Sequence, residues 1–157
     1  MKSRRRVNSA VGPLLMTMKI RTVTRPLLIA LLFAATSCSF TKGKQLGESA
    51  VTRFHNHFNA GEFHEIYNDS DEAFQKWGTE AKLTEFLSAV RRKLGTVKDA
   101  HQTGWHVDAT TEGTIVTLGY DVDFSEGKGT EQFAFLVKGE KALLYKYDVN
   151  SPLLITR

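Results

Sequence analysis

The hydrophobic period changes at Gly95, and that change constrains the fold more than any other feature of the chain. Before it, Leu83, Phe86, Leu87, Val90 and Leu94 recur at helical spacing and form one apolar stripe. Thr79 can cap this helix, Glu80 lies in its first turn, and Arg91, Arg92 and Lys93 suit the negative end of its dipole. Gly95 is the residue type that stops such a helix. After it, side chains alternate. Val116, Leu118, Tyr120, Val122 and Phe124 mark a half-buried strand, as do Phe133, Phe135 and Val137, then Leu143, Tyr145, Tyr147 and Val149. Residues 97–109 read as a first strand, with Trp105 and Val107 on one face. Thr111-Glu112-Gly113, residues 125–129 and Gly139-Glu140 supply hairpin connections.

Upstream, Ala50, Val51, Phe54 and Phe58 form another helical stripe, closed by Asn59-Ala60-Gly61. A short helix is expected over 63–67, stopped by the turn-rich residues 68–71. Helices first and an antiparallel meander afterwards give an α+β domain of two layers. The expected domain spans 47–152 and shows no internal repeat, and residues 153–157 read as a C-terminal tail.

The charge is unevenly placed. Seven of the 21 Lys and Arg lie in residues 1–37, together with none of the 17 acids. The remaining 120 residues carry 14 bases against 17 acids, a formal charge of −3, which offers no basic face for nucleic acid. The early bases have another reading. Lys19, Arg21 and Arg25 precede an apolar run over 26–35 (PLLIALLFAA), and Thr36 and Ser37 are small. That order is a secretory signal, and the run is too short to span a bilayer, which takes roughly 20 residues. Residues 1–17 make an unusually long lead-in and fit an overextended start, with Met16 or Met18 the more natural beginning.

The residues AATSC, ending at Cys38, resemble a bacterial lipobox, with Ala35 at a position where that family usually carries Leu. The resemblance implies removal of residues 1–37, lipidation of Cys38 and a short tether over 38–46. Ordinary signal peptidase could cut the same bond through Ala35-x-Ser37. Ser39 after the cysteine implies, by resemblance to Gram-negative lipoproteins, the outer membrane facing the periplasm. Cys38 is the sole cysteine, so the chain has no intrachain disulfide. In the domain itself, FNAGEFHEIY, EFLSAVRRKLGTV, EQFAF and YKYDVNSPL resemble the cystatin-like, nuclear transport factor 2-like superfamily. More narrowly, they are similar to a group of secreted bacterial domains of uncharacterised function. The likeness implies helices packed on a curved four-stranded sheet and carries no catalytic residues with it.

Candidate sites follow. Tyr67, Phe74, Trp77, Trp105, Tyr120 and Phe124 could line a cavity between sheet and helices, or simply fill the core. His55, His57 and His64 cluster in sequence, but zinc ligands on a helix sit at i and i+4. His55 and His57 are two apart and point roughly 200° away from each other on a helix, so no metal is expected and no cofactor is implied. Asp121 and Asp123 share one strand face, which in most strands merely meets water. Gly127-Lys128-Gly129-Thr130 lacks phosphate-loop spacing and reads as a hairpin turn. No catalytic residue is assigned. The sequence thus leads to an envelope lipoprotein, lipid-anchored and non-enzymatic, whose domain binds a small apolar ligand or a protein partner. The alternatives are an isomerase or hydratase with an Asp–Tyr pocket, in the manner of ketosteroid isomerase, and a structural homodimer.

Overall fold

Four antiparallel strands follow one another across a single sheet in the order β1 (Val97–Ala109), β2 (Thr114–Phe124), β3 (Lys128–Lys138) and β4 (Lys141–Asn150). In this computed structural model the backbone is described for residues 24–155 and the side chains for residues 41–155. The segment before residue 24, the Cys38 side chain and the lipidation expected on it lie outside the described residues. The helices are α1 (Thr24–Ala60), α2 (Phe63–Asn68), α3 (Glu72–Trp77), α4 (Glu80–Leu94) and α5 (Pro152–Ile155). The fold is α+β, with the sheet open and the main helices N-terminal to it, as the change of period at Gly95 predicts.

One face of the sheet meets the helices. Val116, Leu118, Tyr120, Val122 and Phe124 of β2 are buried there. Phe133 and Phe135 of β3 join them, paired across the ladder with Leu118 and Val116. Phe54 and Phe58 of α1 and Leu87, Val90 and Leu94 of α4 close the layer. Each such side chain contributes about 1.5–3 kcal/mol by leaving water. The large exposed hydrophobics among the described residues are Trp77, Phe86, Trp105 and Ile155. None lies on the outward sheet face, since Trp105 pairs with Leu118 and so shares the helix-side face.

Several boundaries differ from expectation. The tether expected over 38–46 is helical, because α1 runs unbroken through it. Gly43 and Gly47 are both buried, and a Cβ on Gly47 would stand 3.1 Å from Leu118 and 3.2 Å from Val116. Two glycines one helical turn apart thus bring the α1 backbone down onto β2. The six-residue α3 was not expected at all; Asp71 caps it, accepting from the Ala73 amide at 2.9 Å. Residues 153–155, expected as tail, belong to α5, and Leu153 and Leu154 pack against the core. At the other end of α1, the Asn59 side chain bonds both the amide and the carbonyl of Val97, at 2.8 and 2.9 Å, fixing the first strand to the helix end. No described helix is long and apolar enough to cross a membrane.

Candidate functional site

The centre of the domain is aromatic and closed. Phe133 has Phe54, Tyr147, His55, Phe135 and Tyr120 around it, with ring centroids 5.0 to 6.1 Å away. Into this setting β3 brings a carboxylate. The Glu131 side chain is 0% exposed and accepts two hydrogen bonds, from Tyr147 Oη at 2.6 Å and from His55 Nε2 at 2.6 Å. A buried charge is tolerated when it is paired and hydrogen-bonded, and both oxygens here have a donor. Burial, and then the Glu131 charge, hold the Tyr147 hydroxyl well above its ordinary value. Burial pushes Tyr120 up to about 12, with the Glu48 and Glu131 charges adding to it. Both tyrosines therefore stay neutral at ordinary pH, and Tyr147 donates to Glu131.

A half-open nook at the edge of this packing is small. Space between α1, α2 and the β3–β4 pair, bounded by Phe54, Ile66, Phe135 and Leu144, amounts to about 10 Å3. That is about the least a single water requires.

An open groove lies elsewhere, where α3 and α4 flank β4, the last strand of the sheet. Its floor and walls are Phe74, Leu83, Phe86 and the ring of Tyr147, with Trp77, Gly78, Lys82 and Asp148 at its margin, and it holds about 520 Å3. A second hollow of about 410 Å3, lined by Ala73, Tyr145 and Lys146, adjoins it on the far side of Phe74 and Trp77. Trp77 is 89% exposed and Phe86 45% exposed, so two large apolar side chains face water here. Asp148 pairs with Lys146 at 2.8 Å, whereas the Lys82 ammonium has no ion-pair partner among the described residues. The Tyr147 hydroxyl points inward to Glu131, so the groove meets its ring and not the carboxylate.

Six aromatics stand in the sequence as candidates for one cavity, and the structure divides them. Phe74 and Trp77 share the groove. Tyr120 and Phe124 are packed in the core, and Tyr67 lies half-buried against it. Trp105 sits on β1 at the opposite edge, with the Lys44 ammonium 5.8 Å from its ring. Phe86, Leu83 and Tyr147 complete the groove but read as core and strand positions in the sequence. The one available signal was that Phe86 lies at the margin of the α4 stripe.

The histidines also separate. His55 meets Glu131, His57 meets Glu62 at 2.9 Å, and His64 meets Glu80 at 2.8 Å. Three imidazoles on three different glutamates do not form a metal site, and no group of ligands able to hold a metal occurs among the described residues. Asp121 is exposed on the outward face, away from the buried Tyr120, and Asp123 pairs with Lys128 at 2.6 Å. Tyr120, Asp121 and Glu131 border a separate open hollow of about 600 Å3, with Asp121 and Tyr120 on opposite faces of β2. Residues 125–127 make the turn between β2 and β3, closed by the Phe124 amide on Gly127 O at 2.8 Å, and Lys128 and Gly129 already belong to β3.

Asp71 pins one end of the groove. Burial raises its carboxyl, but the Lys138 ammonium at 2.9 Å and the α3 amides outweigh it and hold the group below its usual value. In comparisons with known proteins, no family model matches this chain and no curated protein is significantly similar to it.

Proposed function

We propose that this chain is a non-enzymatic binding domain of a lipid-anchored envelope protein, and that it takes a small apolar ligand in the groove between α3, α4 and β4. One observation carries the reading: Trp77 and Phe86 stand exposed on either side of a hollow floored by Phe74, Leu83 and Tyr147. Exposed aromatics around a concave surface of this size, within the range of roughly 300–1,000 Å3 typical of small-molecule sites, favour ligand capture. A protein partner is less well supported, because a standard interface buries roughly 800 Å2 on each side. An isomerase or hydratase would need a free carboxylate facing its pocket, and the one at this groove, Asp148, is paired with Lys146. Glu131, the buried carboxylate, has both oxygens occupied and does not face the groove. The anchor rests on the signal-like segment and on Cys38, and nuclear transport factor 2-like ancestry is supported by the order of helices and strands.

Mass spectrometry of the full chain, purified from a bacterial envelope under native and then denaturing conditions, tests both parts. The expected result is a small mass lost on denaturation, together with an N-terminal peptide starting at a diacylglyceryl-modified Cys38. A ligand-free chain in every preparation would overturn the capture reading. An unmodified Cys38, or an uncut chain, would overturn the anchor.

A further inference from the structure

The geometry points to α3 as a lid, closing over an organic anion with a flat apolar body held between Trp77 and Phe86. This deepens the groove reading and rests on it. The helix makes its non-covalent ties at its start, and at its end Gly78 and Thr79 lead straight into α4. At its start the Asp71 amide bonds Leu144 O at 2.8 Å, the Asp71 carboxylate takes Ala73 N and Lys138 Nζ, and Gln75 Nε2 reaches Tyr67 O at 2.9 Å. Past Gln75 the ties stop. Lys76 pairs only with Glu72 of the same helix, at 3.5 Å, and Trp77 is almost wholly in water. Gly78 follows in extended backbone, where even an added Cβ would meet nothing within 4 Å. No residue of α3 is fully buried, and Phe74 is the one that packs against the core. A short helix with its ties at the start and only the two-residue link Gly78-Thr79 to α4 at its end can rock about the line joining residues 69–71 and Gly78.

The free energy for closure comes from Trp77. Left in water it gains nothing, while a ring beneath it would let indole and ligand bury one another. The lining sets the ligand's chemistry. Phe74, Phe86 and the Tyr147 ring are flat apolar surfaces, and Lys82 is the uncommitted charge at the rim, since Asp148 already has Lys146. An apolar ring system with a carboxylate or sulfonate head fits both features.

The chain has two tryptophans, so Trp105→Phe in the full chain leaves Trp77 as sole reporter without touching the groove. The probe is 8-anilinonaphthalene-1-sulfonate, set against the neutral N-phenyl-1-naphthylamine. Saturable energy transfer from Trp77 to the sulfonate is expected at one probe per chain. Acrylamide quenching of Trp77 should fall several-fold on saturation as the lid shields it. Phe86→Ser and Lys82→Gln should each weaken binding by about tenfold, with the urea midpoint of the free protein nearly unchanged. Transfer that saturates while quenching stays as in the free protein would overturn the lid and leave the binding reading intact. Equal affinity for the neutral probe, or an unaltered Lys82→Gln variant, would overturn the anionic head. Absence of saturable transfer would overturn lid and binding reading together.

Discussion

Glu131 shows how much a single side chain can commit a fold to one arrangement. Its carboxylate lies among phenylalanines and is satisfied by two donors from two other elements, His55 on α1 and Tyr147 on β4. Removing one partner of a buried pair costs more than replacing both, because the survivor keeps its desolvation penalty. His55→Ala should therefore cost about 3–5 kcal/mol in urea unfolding. The triple replacement His55→Leu, Glu131→Met and Tyr147→Phe, which leaves no orphaned donor, should recover most of that loss. Equal costs for single and triple variants would show that the cluster is incidental. His64 offers a second test at this scale. The hydrogen bond and charge of Glu80 raise its titration midpoint, with Glu65 adding to the effect. A raised folded value means that this contribution is fully present below the ordinary histidine range and is lost as pH rises through the folded midpoint. NMR titration should place His64 above that range, and Glu80→Gln should return it. Neither pairing was legible in the sequence. His55 and Glu131 are 76 positions apart, and nothing local distinguishes an acid at a strand start that faces water from one that faces the core.

Elements with an apolar stripe or strict alternation could be read directly, and elements built otherwise could not. Helix α4 and the strand β2 fall where periodicity put them, since burial of one face imposes the pattern. The first turns of the described part of α1 escaped notice because they pack through Gly43 and Gly47, and close backbone approach leaves no hydrophobic trace. Helix α3 escaped notice because six residues cannot display a period. The contact of α1 with β2 makes a prediction. Gly47→Leu must push the helix off Leu118 and Val116, and overpacking of this kind should cost about 1–3 kcal/mol, measured as a lower urea midpoint. Gly95 is constrained differently. Its φ of 77° lies in the left-handed region, and a Cβ there would come within 1.8 Å of Ser125 Oγ. The α4 stop and the β2–β3 turn are thus locked to one another, since Glu126 N also bonds Leu94 O at 3.0 Å.

At the scale of the whole molecule, helices and sheet share one aromatic centre, with the groove outside it. Composition and period determine that centre, so the fold class could be read from the chain. The groove could not, because it arises where three elements fail to cover one another at the end of the sheet. Phe133→Ala tests the closed interior. It removes the ring that Phe54, His55, Tyr120 and Tyr147 surround, and should cost about 3–5 kcal/mol by urea unfolding. A much smaller loss would mean that the neighbours collapse into the gap, and that the interior is looser than its packing implies.

The continuity of α1 also has a mechanical side. A leash of coil would let the domain tumble beneath its attachment, whereas a rigid rod entering the core transmits orientation and load. Were the proposed anchor carried at Cys38, tension there would pass along α1 and reach β2 across the Gly43 and Gly47 contacts. A domain held through such a helix would keep its groove at a fixed height and bearing while its surroundings move.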